Sequence, residues 1–536
     1  MLCRMVCALL RRIRCTLPGR RAGQGLLLLC LCGCTTLSEY VHNGFKVGPN
    51  YRKPLAPVAD DWIDAADVRV RKESDDLCHW WAVFNDPVLD ALIQTAYGQN
   101  LTLREAGFRV LQARAELGIA IGEFFPQLQT LTGSWRRQEL SRNAPNRQFL
   151  GERIFNQWTT GFNLAWEVDF WGRYRRAIES AEALLDASVE DYDAVLVMLL
   201  GDVASTYVQV RTLEQEIEYV KTNIGLQRET LKIAQARFQG GQATELDVDQ
   251  AQSTLSQTES QVPQLEIQLR QANNRLCVLL GIPPEELRAK LGPAGIPAAP
   301  PEVAVGIPAE LLVRRPDVRR AERQAAAESA RIGIAEADLY PRISIVGNLG
   351  LQAQDFQNLF EGQSFFGQIG PSFSWNILNY GRIVNNSRVQ DARFLEAVTR
   401  YQNAVLRAGE EVENGLVQFL RAQEEARFLA ESGRAAEKAV KVALAQYKGG
   451  LVDFNRVSLL EQNLVQQQNL LAQARGAIAL GLIQTYRALG GGWQIRCSPC
   501  PPLPAGPPPA EILPPPRSFD EERPTATEAD GEARLP

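Results

Sequence analysis

The chain is 536 residues long, 45% apolar, and carries a formal charge of -5. That length admits two or three domains, or one architecture built from a duplicated piece. So mild a charge gives no footing to a nucleic-acid partner. The two histidines, His42 and His79, leave little material for histidine catalysis or a metal centre, so no enzyme and no metal site is expected.

Residues 1–33 read as a secretory signal: a basic stretch ends at Arg20-Arg21, and a short apolar run from Leu26 to Leu31 follows. That run is far shorter than the roughly 20 residues a spanning helix needs. It ends in Leu31-Cys32-Gly33-Cys34, which resembles the bacterial lipobox. By that resemblance Cys34 becomes the lipidated first residue, the covalent lipid being the only prosthetic group expected, and residues 34–84 form an anchored N-terminal segment. A signal with a cysteine-rich end and no lipid is the plainer alternative. Residues 1–33 hold six arginines and no acid, so their removal leaves a charge of -11. Only Cys78, Cys277, Cys497 and Cys500 lie beyond Cys34, which is no disulfide framework for so long a chain. Cys78-His79 reads as part of a packed helix with Trp80 and Trp81.

The body of the chain is a repeat. Phe124-Phe125-Pro126-Gln127-Leu128 returns as Leu339-Tyr340-Pro341-Arg342-Ile343, and Trp166 to Arg173 returns as Trp375 to Arg382. Ala236-Arg237-Phe238-Gln239-Gly240-Gly241 returns as Ala445-Gln446-Tyr447-Lys448-Gly449-Gly450, and Leu280-Gly281 as Leu489-Gly490. Two repeats follow, 85–290 and 310–493. Each should open with a helix, Asp86 to Glu123 and Asp317 to Asp338. Strands come next. Phe162, Leu164, Trp166 and Val168 alternate with polar or small neighbours, as do Ile369, Pro371, Phe373, Trp375 and Ile377. Period two with one apolar face fits a transmembrane barrel strand, and fits equally an ordinary half-buried hairpin.

After each Gly-Arg the composition turns to strong helix formers. The stretch from Gly172 to Phe238 alone predicts a helix of 67 residues, roughly 100 Å at 1.5 Å per residue. Such a helix needs lateral partners, so coiled-coil packing is expected. Gly240-Gly241 and Gly449-Gly450 hinge each long helix to a second one. No stretch of the body reads as a transmembrane helix, the best apolar run being Val195 to Leu200. A membrane crossing would therefore use strands. Four strands cannot close a barrel, since the smallest has eight, so copies must associate; strand count alone allows a dimer or a trimer. Residues 494–536 are proline-rich and read as a disordered tail. Cys497 and Cys500 in it read as a local disulfide or idle thiols.

Val47-Gly48-Pro49-Asn50-Tyr51, Trp80-Trp81, Phe84-Asp86-Pro87-Leu89, Arg314-Arg315-Pro316-Asp317-Val318 and Tyr486 to Trp493 together resemble the TolC-like outer-membrane factors, in their lipid-anchored NodT-type branch. The first of these, with Trp80-Trp81 and Phe84-Asp86-Pro87-Leu89 after it, resembles the family's first helical segment. The resemblance implies an α+β, mainly α fold. It implies a homotrimer with a twelve-stranded outer-membrane β-barrel continuous with a periplasmic twelve-helix barrel, set in outer-membrane lipid. It implies a passive duct that takes small molecules from an inner-membrane transporter through a periplasmic adaptor to the exterior. Gly240, Gly241, Gly449 and Gly450 become the periplasmic tips where the adaptor docks. Val457 and Glu461, one helical turn apart, become the narrow entrance, with Glu245, Asp247 and Asp249 as its matching segment in the first repeat. Arg173 and Arg382 take a structural or interfacial role.

The alternative is a periplasmic coiled-coil adaptor or scaffold lipoprotein without a pore. An adaptor should carry a lipoyl-like or barrel segment inside one helical hairpin; this chain has two hairpins and two strand pairs. The anchor is testable directly. Mass spectrometry of the mature N-terminus should find a lipidated Cys34, and Cys34→Ser should lose the lipid and leave the membrane fraction. An unmodified chain beginning elsewhere would refute the assignment.

Overall fold

The computed structural model describes residues 37–73, 77–141, 143 and 152–497, so Cys34, Cys500 and the tail beyond Cys497 lie outside the described residues. The chain is mostly helical with one substantial sheet. A short helix α1 (Leu37–His42) and a two-residue strand β1 (Val70–Arg71) precede a 3-10 turn, Trp80–Phe84. The first repeat contains α2 (Pro87–Gln99), α3 (Leu101–Phe124), β2 (Leu128–Glu139), β3 (Ile154–Val168), α4 (Arg173–Gln239) and α5 (Glu245–Leu279). A connection holds α6 (Arg288–Leu291), β4 (Val303–Ala304) and α7 (Leu311–Arg314). The second repeat contains α8 (Pro316–Ala337), β5 (Arg342–Ala353), β6 (Phe365–Ser374), α9 (Arg382–Lys448) and α10 (Phe454–Ala488).

The duplication is exact in its long helices: α4 and α9 each have 67 residues, and α5 and α10 each have 35. Both corners into the long helices are made by a glycine in the left-handed region, Gly172 at φ 81° and Gly381 at φ 82°, where a side chain would be strained. Helix starts repeat as well. The Thr244 side chain accepts from the Asp247 amide, and its counterpart Asp453 accepts from the Arg456 amide, each filling a donor that a helix N-terminus leaves bare.

Three expectations are corrected. The helix foreseen from Asp86 to Glu123 is two helices, broken at Asn100. The Asn100 side chain accepts from the Leu103 amide at 2.8 Å and donates to the Leu279 carbonyl at 2.8 Å, so it caps α3 and ties it to the end of α5. Gly48 to Tyr51 is not helical, and it bends at Gly48, which has φ 82°. Arg176 donates to the Val47 and Gly48 carbonyls at 3.1 and 2.9 Å, fastening this segment beside the first corner. Finally, α4 does contain a window apolar enough by composition to cross a membrane, but 67% of that window is buried within the chain, as in the core helix of a packed protein.

Close contacts divide the chain into two compact units, each drawn from three segments. The first comprises Met1–Leu55, Val110–Ser188 and Arg320–Tyr401. It contains the four-stranded antiparallel sheet in the order β2-β3-β5-β6. Its registers settle the faces. Leu131 lies opposite Phe162, Phe162 opposite Leu349, and Ile345 opposite Pro371, so most of the large apolar residues of the four strands share one face, with Leu128, Phe155, Val346 and Phe366 on the other. Thr130, Asn163, Asn348 and Gln368 form a row on that second face. The alternation foreseen to Ile377 is not all strand: β6 stops at Ser374.

The second unit comprises Ala56–Arg109, Val189–Arg319 and Gln402–Pro536. Here helices approach to backbone contact. A Cβ on Gly481 would meet the Phe419 amide nitrogen of α9 at 2.6 Å, and one on Gly415 would meet the Thr485 nitrogen of α10 at 2.8 Å. Interiors this dense do not yield to an added methyl without shifting a helix. Gly481→Ala and Gly415→Ala should each destabilise by about 1–3 kcal/mol, read as a lowered thermal midpoint of the purified protein.

Candidate functional site

Within the second unit the two Gly-Gly turns are built alike. Gly241 and Gly450 have φ of 71° and 76°. The Gln242 amide donates back to the Arg237 carbonyl at 2.8 Å, and the Leu451 amide to the Gln446 carbonyl at 2.9 Å. This left-handed closure satisfies the carbonyls that a helix end leaves open. Gly240, Gly241, Gly449 and Gly450 thus form the two helix-to-helix turns the sequence foretold.

Arg237 joins the two tips. Its guanidinium carbon sits 4.5 Å from the centroid of the Tyr447 ring. It also donates to the Tyr447 carbonyl and, at 3.3 Å, to the Gln242 carbonyl. One cation in the last turn of α4 therefore answers a C-terminal carbonyl of α9 and a carbonyl of the turn after α4, and positive charge is favoured at such helix ends. Sequence reasoning missed this contact. The signal was an arginine in the last turn of α4 and an aromatic in the last turn of α9, at positions adjacent in the repeat alignment. Next to it, α5 and α10 pack side by side through Gln250 to Asn455 at 3.0 Å and Thr254 to Ser458 at 2.7 Å.

The foreseen gate pair is buried in the single chain. Val457 is 0% and Glu461 2% exposed. Val457 belongs to an apolar cluster with Val220, Leu231, Leu255 and Phe454, so within one chain neither side chain lines an opening. The Glu461 carboxylate accepts from the Thr230 hydroxyl at 2.7 Å. Burial pushes its pKa up to about 7, against the smaller lowering effect of that hydrogen bond. The spacing did place both residues on one helix face; that face turned out to be the packed one. In the first repeat, Glu245 and Asp249 stay exposed and Asp247 is half-buried. Glu245 and Asp247 sit in the first turn of α5, where the helix dipole favours acids, and Asp249 follows just beyond it.

Among the remaining sequence sites, Arg173 pairs with Asp338 at 3.2 Å, while Arg382 is exposed. His79 precedes the 3-10 turn and meets the Trp81 ring edge-on at 5.4 Å. Cys277 and Cys497 are free thiols, so Cys497 makes no local bridge to Cys500. Cys78 is the cysteine in a disulfide, and its partner lies outside the described residues.

With this geometry in place the relatives are informative. The chain matches the outer membrane efflux protein family over residues 92–282 and 307–491, and it belongs to that family. It is 31% identical to the pyoverdine export outer membrane protein OpmQ of Pseudomonas putida over 422 residues, 77% of this chain and 88% of the relative. It is 29% identical to nodulation protein T of Rhizobium leguminosarum bv. trifolii over 434 residues, 81% and 91% of the two chains. Its fold is similar to that of the outer-membrane channel OprN, with TM-score 0.79, 32% identity, and coverage of 84% of this chain and 99% of that one. The protein is an outer-membrane efflux channel protein.

Because the Glu461 pKa is raised on folding, its contribution to stability is full below the unfolded carboxylate range and is lost as pH rises from about 4.5 toward about 7. Glu461→Gln keeps the size and the hydrogen bond without the charge. It should flatten that fall and stabilise the protein at pH 8 by on the order of 2 kcal/mol, read from melting midpoints at pH 5 and pH 8. An equal pH dependence in both proteins would show that Glu461 does not titrate in this range.

Proposed function

We propose that three copies of this chain close into a twelve-stranded barrel in the outer membrane, continuous with a periplasmic barrel of twelve helices. The assembly is a passive duct for small molecules, anchored by a lipid on Cys34. The observation that carries this reading is the four-stranded sheet of the first unit, with an exposed apolar face and two unpaired edges, β2 and β6. Lipid has no hydrogen bonds to offer such edges. Three copies supply twelve strands, an accepted barrel size, and the relatives named above include a pyoverdine export outer membrane protein and an outer-membrane channel. A pore-free adaptor has no use for such a sheet.

A duct does no chemistry, so the energy for export comes from an inner-membrane transporter, reached through a periplasmic adaptor. The Gly240-Gly241 and Gly449-Gly450 turns are the docking tips. They carry exposed apolar residues, Leu246 and Leu451, of the kind that interface cores use. With Val457 and Glu461 buried, the exposed acids Glu245 and Asp249 are the better source of a negative ring at the entrance, which would favour cations.

The wild-type protein in planar bilayers should give stepwise, cation-preferring conductance; a silent protein that still inserts would refute the duct. Leu451→Asp should leave conductance unchanged and cut export in cells by about tenfold or more, because the adaptor loses its seat. Unchanged export would remove the tip from the docking surface.

A further inference from the structure

The seam inside the chain specifies the seam between copies. Leu128 opposite Ala165 begins the pairing of the first hairpin, and Arg342 opposite Ser374 begins that of the second. Hence within the strands β2 maps onto β5 at an offset of 214 (342 − 128) and β3 onto β6 at 209 (374 − 165), whereas the corner residues before each strand keep the offset of 215 (341 − 126) that relates Pro126 to Pro341, so the repeats differ by one residue at the start of the strand. A second contact repeats with the hairpins. Trp166 Nε1 donates to the Phe124 carbonyl at 3.2 Å, and Trp375 Nε1 to the Leu339 carbonyl at 3.0 Å. The two hairpins meet along β3 and β5, from Trp158 opposite Ala353 to Val168 opposite Ile343. The remaining edges, β6 and β2, stand to each other as β3 stands to β5, but on different copies of the chain.

We propose that β6 of one copy pairs with β2 of the next in the register that this junction dictates. Trp375 then lies opposite Leu131, Phe373 opposite Gly133 and Pro371 opposite Trp135. On the other face Ser374 lies opposite Thr132 and Ser372 opposite Ser134. The register rests on the closed threefold barrel proposed above, and three observations support it. First, Trp166 to Val168 pair with β5 alone, because β2 has already ended opposite Ala165. Their counterparts Trp375 to Ile377 carry no strand pairing in the single chain, which leaves that side of the backbone for a strand of another copy. Second, the faces agree. Leu131 and Phe373 are 80% and 77% exposed in the single chain, and the register puts both on one apolar surface. A slip of one residue would send one strand's apolar set to the polar face.

Third, the corners beside the seam are complementary. Inside the chain Trp171 stacks on Tyr340 at 4.4 Å, and Arg173 pairs with Asp338 at 3.2 Å. The repeat turns these into Tyr380 against Phe125 and Arg382 against Glu123, one member on each copy. Tyr380 is 94% exposed, and Phe125, Arg382 and Glu123 are exposed too.

Directly opposed Cβ atoms across a sheet are about 4.5–5.5 Å apart and diagonal ones about 7–8 Å, while a disulfide needs roughly 3.5–4.5 Å. Ser374→Cys with Thr132→Cys, and Ser372→Cys with Ser134→Cys, are therefore compared with two shifted pairs, Ser374→Cys with Ser134→Cys and Ser374→Cys with Thr130→Cys. Full-length protein in outer membranes is oxidised with copper phenanthroline. Covalent dimers and trimers are read on non-reducing gels, and the linked peptides by mass spectrometry. At least one in-register pair should link at least about fivefold more than either shifted pair. A shifted pair linking as well, or no pair linking in protein that native mass spectrometry finds trimeric, overturns the register and leaves the threefold barrel standing. A monomeric mass overturns both.

Discussion

The structure depends on one constraint: a backbone amide or carbonyl in hydrocarbon must be hydrogen-bonded, because lipid offers no substitute. Four antiparallel strands satisfy their inner ladders and leave β2 and β6 each with a free side. That deficit cannot be met within the chain. In the barrel proposed above, association meets that deficit, and a closed arrangement does so completely, since any open stack would keep two bare edges.

Duplication is the economical answer to that constraint. The two repeats share helices of equal length, left-handed corner glycines and the same turn at each Gly pair. One set of local rules, used twice per chain, would build the proposed ring with few distinct contacts. The N-terminal segment breaks the likeness. Tyr40, Phe45 and Trp171 cluster at the first corner only, whereas the second leaves Tyr380 bare. That difference distinguishes the exposed corner from the one packed by its own chain.

The fold was largely legible because its signals are local. A period of two along Phe162 to Val168, long proline-free stretches of helix formers, and paired glycines each fix structure over a few residues. What was not legible depended on three-dimensional partners. Val457 and Glu461 were rightly placed one turn apart, but spacing does not say whether a helix face meets a lumen or another helix. Thr230 and the apolar cluster around Val457 decide that, and they come from distant sequence. Arg237 was read only as part of a repeated motif, and its bond to Tyr447 required two tips to meet. Asn100 broke a predicted helix because its side chain found Leu279, again a long-range partner. The window in α4 shows the reverse error: composition alone would admit a membrane span where packing makes a core.

The central claim is that three copies close one barrel with no free edge. Electron cryomicroscopy of the full-length protein in lipid nanodiscs tests it most directly. The account predicts a threefold ring of twelve continuously paired strands, with β6 of each copy hydrogen-bonded to β2 of the next. A ring of another order, or a sheet whose β2 and β6 edges remain unpaired, would contradict it.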